Sequence, residues 1–596
     1  MNVFTLSEYL GRRYDDRSRV SFAVIMVVIM VVVQMVPGFY FGSRSVNRLL
    51  QGDTGSKAMV EAVVDAEGSL SEISIKNEGR KYAKAPEVMI QGGGGGEARA
   101  EIDDQGRLSS ITLIEKGSGY DAKKAPLIIL KGGNERNEMI SPGDVDPTHY
   151  QIGILVMALV TGAYVILGGL RAVIITDVIQ SVLMLIGGLI VAFIVFNLPE
   201  VGGWSGMRAM DAAAAPGSQK MHLYESSDHP TLPWTGMLSG LMVLHFFYWG
   251  TNQFIVQRAL SARSDKEARI GIITAVFFNL LIPFFSIGTG IAAFYLFKKN
   301  NMIVASDDVF ITLLTQYVKP IGFGVLGLVA AGLIGAILST VDSMLNSAAT
   351  LITFDVYKRF INPEATDKQL IRVGRQCILL FVIGSAFLTI FIFDPNSEKP
   401  FFTYVASHQS RLIAGLVVAF GVGMLWKGAT ATGGFAAIIT GLVVSYGLPP
   451  LYAMTLGQKK TIASLFGQNL NFFHAVFVAA IVSTLAHVIV SKITMTDERK
   501  SQLTWHGLGL ISKEQLASYG KRLLLSALVF AGLGSCMVNN FISPAVAATF
   551  GSCWTLCIIV FSVKQSQRKD NEKGIDDRYL AGILASCAVF ILFYFY

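Results

Sequence analysis

The sequence predicts an all-α polytopic membrane protein interrupted by one small inserted β module, and three observations predict it. Of the 596 residues, 52% are apolar and only 15% are charged, against about 25% charged in an ordinary soluble domain. Apolar runs of about 20 residues, the length a helix needs to cross hydrocarbon, recur from Val20 to Tyr596. Between two of these runs lies a polar, glycine-rich stretch, residues 51–148, that repeats itself. This composition excludes soluble enzymes, collagens and disordered chains. The charge balance, 49 basic against 42 acidic residues, comes to +7, the mark of basic cytoplasmic loops rather than of a nucleic-acid surface.

Thirteen spans are expected, at 20–42, 150–169, 172–198, 234–257, 270–297, 321–354, 373–394, 401–426, 432–454, 471–491, 522–543, 546–563 and 578–596. Arg12, Arg13, Arg17 and Arg19 precede the first and place the N-terminus in the cytoplasm. With strict alternation, Arg171 and the basic loops 258–269, 358–375, 492–522 and 564–578 all fall on that same side. The C-terminus is then outside. No cleavable signal peptide is visible before Val20, so the first span is expected to direct its own insertion. The chain divides into a cytoplasmic loop and first span (1–50), the inserted module (51–148), core spans (149–454) and additional C-terminal spans (455–596). Cys377, Cys536, Cys553, Cys557 and Cys587 all sit in apolar segments, which reads as buried free thiols without a disulfide framework.

The inserted stretch is duplicated. Gly68-Ser-Leu70-Ser-Glu-Ile73-Ser-Ile75 matches Gly106-Arg-Leu108-Ser-Ser-Ile111-Thr-Leu113 at an offset of 38, continuing through Gly79/Gly117 and Tyr82/Tyr120. Pro86/Pro126 and Gly92-Gly93/Gly132-Gly133 follow at an offset of 40. Alternating apolar positions between glycine turns predict short strands, and the span count puts them outside the membrane. An inserted loop domain and a surface that binds an unknown partner both fit.

Ionisable groups within spans cost roughly 2.5–3.5 kcal/mol at the bilayer centre, so each is a functional candidate. Asp177 lies in the third span, with Thr176 beside it and Gln180 three residues on, which puts Asp177 and Gln180 on one helical face. Those oxygens suit a hard monovalent cation or a proton relay; a salt bridge to Arg171 is the structural alternative. Ala336, Ser339 and Thr340 stand at i, i+3 and i+4, so one carbonyl and two hydroxyls share a face and offer half a sodium cage. Helix-packing hydroxyls make the same pattern, but the neighbouring Asp342, in a second polar stripe with Asn346, is not needed for packing. In the fourth segment, Gly250-Thr-Asn-Gln253 interrupts an apolar run beside His245, Tyr248 and Trp249, where a broken helix would let freed backbone groups line a cavity. His474 and His487 read as packing or interfacial residues. An enzyme is not indicated: no Ser/His/Asp, metal or phosphate-binding pattern occurs.

Three of these segments carry a recognisable pattern. Gly168-Gly-Leu-Arg171-Ala-Val-x3-Asp177-Val-Ile-Gln180, Tyr248-Trp249-Gly-Thr-Asn-Gln-Phe-Ile-Val-Gln257-Arg258 and Ser339-Thr340-x2-Ser343-x2-Asn346-Ser347-x2-Thr350-x4-Asp355-x-Tyr357 resemble the sodium:solute symporter family. The second is most similar to its sodium/glucose cotransporter branch, and Gly421-x-Gly423-Met-Leu-Trp426-Lys427 followed by Gly433-Gly434 also fits. The resemblance covers about residues 4–50 and 150–450. It implies a leucine-transporter-type bundle of two inverted five-helix repeats with alternating access. It assigns Ala336, Ser339 and Thr340 to the principal sodium site, Asp177 to sodium passage or a second sodium site, and Tyr248 to closure beneath the solute.

The departures from the family pattern are specific. Sugar-binding members carry Asn at His245, Lys at Asn279 and Gln at Ala406, which argues against glucose or galactose. Asp342 replaces a residue commonly hydroxylated in members with two sodium sites, a change that strengthens a second cation site with Asp177 or converts it to proton use. Phe4 to Tyr14 resembles the family's loop after the second core helix, so two further core helices are expected upstream, from an earlier coding start or from another polypeptide. The resulting expectation is a plasma (inner) membrane symporter coupling sodium entry to uptake of a sugar, polyol or acidic sugar, with sodium as coupling ion and no other cofactor. Its partners would be lipid, sodium and solute, with no nucleic acid. A transporter-derived, non-transporting sensor or scaffold, or an N-terminally truncated fragment, is the alternative.

Overall fold

A computed structural model describes residues 5–51, 54–91, 94–120, 125–134, 140–215, 217–300, 302, 304–396, 401–509, 512–565 and 576–596. A short helix α1 (Leu6–Arg13) leads into α2 (Asp16–Leu50), and α3 (Pro147–Phe196) follows the inserted strands. Next come α4 (Gly203–Ala212), α5 (Gly240–Phe246), α6 (Gln253–Leu260), α7 (Asp265–Lys299), α8 (Val325–Ile361) and α9 (Asp367–Ile392). The chain then forms α10 (Thr403–Leu425), α11 (Ala431–Met454), α12 (Phe472–Ile493), α13 (Lys513–Val538), α14 (Pro544–Lys564) and α15 (Asp577–Tyr594).

Among the described residues, 11 helices are long and apolar enough to cross a membrane. The difference from thirteen has two physical causes. Helix α3 joins two helical halves, which match the second and third expected spans, end to end at Gly169, whose φ of 57° and ψ of −157° are non-helical and lie where a side chain would be strained, so the two spans count as one long helix. The fourth expected span is broken: α5 gives way to a π-helical turn, Phe247–Thr251, and Asn252 then adopts extended geometry (φ −81°, ψ 116°) before α6 starts. A second break precedes α5 at Ser239. No piece is long enough to count as an unbroken span.

Helix α3 packs most extensively on α8, and α11 on α12, with α2 and α10 completing the main core. The N-terminal arginines divide into different roles. Arg13 is buried and donates to the carbonyls of Gly423 (2.9 Å), Ala429 (3.0 Å) and Trp426 (2.9 Å). It thereby satisfies one acceptor in the last turn of α10, Gly423 O, and two carbonyls in the connection to α11. Arg17, by contrast, is exposed and pairs with its neighbour Asp15. His487 is fully buried with the Tyr14 hydroxyl 3.4 Å from Nε2, and His474 Nε2 lies 2.7 Å from the Thr235 hydroxyl. The cysteines correct their expectation. All five are free, but Cys536, Cys553, Cys557 and Cys587 are exposed and Cys377 is half-buried, because apolar helices in a membrane protein turn apolar faces to lipid as well as to the core.

Residues between α2 and α3 form strands β1 (Met59–Val64), β2 (Leu70–Asn77), β3 (Glu87–Ile90), β4 (Gly94–Ile102), β5 (Leu108–Ser118) and β6 (Ile128–Lys131). β1 pairs antiparallel with β2; the second sheet runs β5-β4-β3-β6. Leu70 and Leu108, at matching repeat positions, are both fully buried in the small core. The repeats also exchange backbone bonds: Tyr82 N–H donates to Gly106 O (2.9 Å), and Tyr120 N–H donates to Gly68 O (3.0 Å). Burial pushes the Tyr82 phenol up to about 12, consistent with a neutral hydroxyl that accepts from Ala58 N–H at 2.9 Å. The module leaves and re-enters the helical body through adjacent turns, for Ser43 Oγ donates to Tyr150 O (2.6 Å) and Asn47 Nδ2 to His149 O (3.1 Å).

Gly106 has φ +68°, and a Cβ there would sit 2.6 Å from Tyr82 O; Gly95 has φ +75° with nothing within 4 Å of a Cβ. Both alanine variants share a backbone cost of about 1–2 kcal/mol, but Gly106→Ala adds a clash of about 1–3 kcal/mol. Amide hydrogen exchange across the strands should therefore accelerate much more in Gly106→Ala than in Gly95→Ala.

Candidate functional site

The site begins with the bend in α3 and the break before α6. The bend lets the two halves of α3 contribute Tyr164 and Asp177, and the break sets α6 as a separate eight-residue helix beside α8. Arg258, near the end of α6, donates to Asp177 Oδ2 at 2.5 Å and also to the Ser343 hydroxyl. The single Ser343 hydroxyl proton is shared between Ser339 O (2.6 Å) and Asp342 Oδ1 (3.0 Å), while the Tyr164 hydroxyl donates to Asp342 Oδ2 (2.5 Å). One continuous network thus joins both halves of α3, the detached α6 and the middle of α8. Asp342 is fully buried, and two hydroxyl donors make that tolerable.

The expected alternative for Asp177, a bridge to Arg171, is not formed. Its ion pair runs to Arg258, 81 residues away in sequence. Nor do Asp177 and Asp342 join directly; Arg258 and Ser343 stand between them. The two carboxylates differ in what they leave available. Both oxygens of Asp342 accept hydroxyl donors, whereas Asp177 Oδ1 and Gln180 Oε1 are buried acceptors with no hydrogen-bond partner. Two such oxygens on one helical face can coordinate a small cation at little cost, because an unpaired buried acceptor is already destabilising by about 1–3 kcal/mol.

Ala336, Ser339 and Thr340 come together as their spacing predicts. Ser339 Oγ donates to Ala336 O at 3.1 Å and Thr340 Oγ1 donates to the same carbonyl at 2.9 Å. Three oxygens therefore cluster on one turn, and the two hydroxyl oxygens keep lone pairs for a cation. Thr340 is exposed and Ser339 half-buried, so the face is open.

The expected solute residues lie on separate elements. His245, on α5, is exposed. Tyr248 and Trp249 follow in the π-helical turn, with edge-on rings 5.6 Å apart, and Tyr248 also meets Phe254 at 6.2 Å. Asn279 is exposed on α7 and Ala406 half-buried on α10. Helix α10 packs against α5 and the π-helical turn, but no hydrogen bond among the described residues draws His245, Asn279 and Ala406 into one cluster. Sequence reasoning missed Tyr164, whose hydroxyl in an apolar run carries no periodic signal. Arg258 carries only a motif and a topology signal in the sequence. Asn252 and Gln253 were seen as a break, not as the fully buried amides they are.

This combination of a bent helix, a broken helix and a buried polar network defines a polytopic membrane helix bundle, and a known fold matches it. A solved structure of a substrate-bound, outward-open Na+-coupled sialic acid symporter superposes with a TM-score of 0.54, covering 83% of this chain and 78% of that one at 18% identity. Residues 147–441 match the sodium:solute symporter family. This segment, just under half of the chain, belongs to that family. A sodium/glucose cotransporter of Vibrio parahaemolyticus is 33% identical over 305 residues, 48% of this chain and 55% of that one. Sodium/myo-inositol cotransporter 2 of Oryctolagus cuniculus is 27% identical over 385 residues, 59% of this chain and 56% of that one. The chain spans a little over half the length of these curated relatives.

Tyr164→Phe removes the donor to a fully buried carboxylate and should cost about 1–3 kcal/mol. Tyr248→Phe removes a hydroxyl with no hydrogen bond among the described residues and should leave stability nearly unchanged. Thermal unfolding of the two purified variants in the same detergent checks the contrast.

Proposed function

We propose that the protein is a sodium-coupled secondary active symporter that carries a small organic solute, a sugar, polyol or acidic sugar, across the plasma (inner) membrane. Its N-terminus faces the cytoplasm, its C-terminus and β strands face outside, and its helices form a leucine-transporter-type inverted repeat. The carrying observation is the convergence of the Ser339 and Thr340 hydroxyls on the Ala336 carbonyl, an oxygen set of zero net charge that suits a monovalent hard cation. Asp177 Oδ1 with Gln180 Oε1 supplies a second cation position. Asp342, with both oxygens already held by hydroxyls, serves that position as a neighbouring negative charge or proton acceptor.

Solute binds in this reading against the broken segment, with His245 and Trp249 beside it, Tyr248 beneath it, and Asn279 and Ala406 completing the wall. The imidazole of His245 favours a solute with partial negative charge. Coupling follows from linkage: sodium shifts the population toward the solute-binding state, and solute tightens sodium by the same factor. The relatives named above, cotransporters of sodium with glucose, myo-inositol or sialic acid, support the solute class.

Uptake of labelled sugars, polyols and acidic sugars into proteoliposomes should require an inward sodium gradient and vanish when choline replaces sodium. Ser339→Ala with Thr340→Ala should raise the half-saturating sodium concentration about tenfold or more, equivalent to ~1.4 kcal/mol. Uptake of any of these solutes that ignores sodium replacement would refute the coupling.

A further inference from the structure

The inner half-helix α6 is held at three places. Near its end, Arg258 binds Asp177 and Ser343; in its middle, the Ser347 hydroxyl donates to Gln257 Oε1 at 2.9 Å. At its start, the tether comes from outside the membrane helices: Leu6 N–H donates to Gln253 Oε1 at 2.9 Å. Next to that bond, Asn252 is fully buried with both ends of its amide unpartnered, and Gln253 Nε2 is likewise unpartnered. A buried amide without partners is costly, and here it coincides with the extended residue where α6 parts from the π-helical turn. Such a place has the makings of a hinge, because its groups gain partners when it moves.

The segment that reaches Gln253 is itself firmly anchored. Thr5 Oγ1 and Ser7 Oγ both donate to the buried Asp355 carboxylate, and Arg19 pairs with the same group at 2.6 Å. Gly11 allows this: a Cβ there would meet Arg19 Cδ at 2.8 Å. Asp355 lies in the π-helical end of α8. On the other side, Arg13 caps the end of α10, the Tyr14 hydroxyl donates to Ala419 O at 2.9 Å, and Lys500 Nζ donates to Tyr14 O at 2.5 Å. Residues 5–19 therefore span from α8 to α10, with one backbone N–H extended to α6.

We propose that residues 5–19 form a latch hung on Asp355, and that the Leu6–Gln253 bond is the contact that holds the start of α6 against the body. Gln253 is then a positioning residue for the conformational change. The inference rests on the transport reading above for its purpose, but the latch has a physical readout of its own. Opening at the hinge breaks this one part-buried bond at the start of α6, while the Arg258 and Gln257 contacts, the Asp355 anchor and the Arg13 cap stay intact.

Both halves of the bond can be removed separately. Gln253→Met deletes the acceptor at similar volume, while Gln253→Glu keeps it. Leu6 is the first residue of α1, and Thr5 before it is extended (φ −133°, ψ 152°), so Leu6→Pro deletes the N–H where a helix tolerates proline. In the full chain in detergent, amide exchange across 253–260 should rise about fivefold in Gln253→Met and Leu6→Pro, the effect of one ordinary hydrogen bond. The double variant should rise no further, Gln253→Glu should match the unaltered chain, and exchange in the middle of α8 should stay constant in all. Unchanged exchange in both deletion variants, additive effects in the double, or an equal rise in Gln253→Glu would overturn the latch. Sodium-driven uptake on the same preparations decides the transport reading separately: its absence from the unaltered chain would remove that reading, while the exchange pattern still decides the latch.

Discussion

The Arg258 guanidinium is the interaction on which the central arrangement depends. A helix that stops and restarts inside a membrane leaves backbone groups that no water can satisfy, and the detached piece must be held by side chains. Here one planar cation, with several donors in fixed directions, bonds Asp177 on the second half of α3, Ser343 on α8 and the carbonyl of Phe254 on its own helix. Ser343 passes the connection to Asp342, and Asp342 to Tyr164. The pair is only partly buried, with side-chain exposures of 35% and 16%. Its worth lies less in net stability than in fixing which segments meet.

That geometry leaves a division of labour among oxygens. The acceptors of Asp342 are engaged by hydroxyls, while Asp177 Oδ1 and Gln180 Oε1 face no donor. Ser339 and Thr340 turn their protons to the Ala336 carbonyl and keep their lone pairs outward. In the proposed reading those outward lone pairs would take a sodium ion, with no net charge on the ligands to hold it irreversibly. The strands between α2 and α3 stand apart from this chemistry. Their duplicated turns trade backbone bonds with each other, so their small core is closed mainly by their own residues.

Much of this was legible in the sequence wherever a periodic or local rule applied. The hydroxyl turn at 336–340 follows from i, i+3, i+4 spacing, and the interruption expected after Gly250 falls at Asn252. The strand repeats appear as matched glycines because positive φ at Gly68 and Gly106 admits little else. Long-range pairing was not legible. Asp177 chose Arg258 over the nearby Arg171 because a bend and a break, not chain proximity, decide which groups face each other. Tyr164 has no periodic signature in an apolar helix. Arg13 read as one of several cytoplasmic charges, yet it is a buried cap on three carbonyls, since nothing local marks the helix end it covers. The cysteines looked buried because apolar context in a membrane chain does not separate core from lipid face.

Sodium-linked stabilisation of the purified chain is the most direct test of cation capture at the Ala336 turn. Thermal unfolding followed while sodium chloride replaces choline chloride at constant ionic strength should show a melting temperature that climbs with sodium. The climb should be lost when the Ser339 and Thr340 hydroxyls are both removed. A melting temperature that sodium leaves unmoved, or that climbs equally without those two hydroxyls, would contradict it.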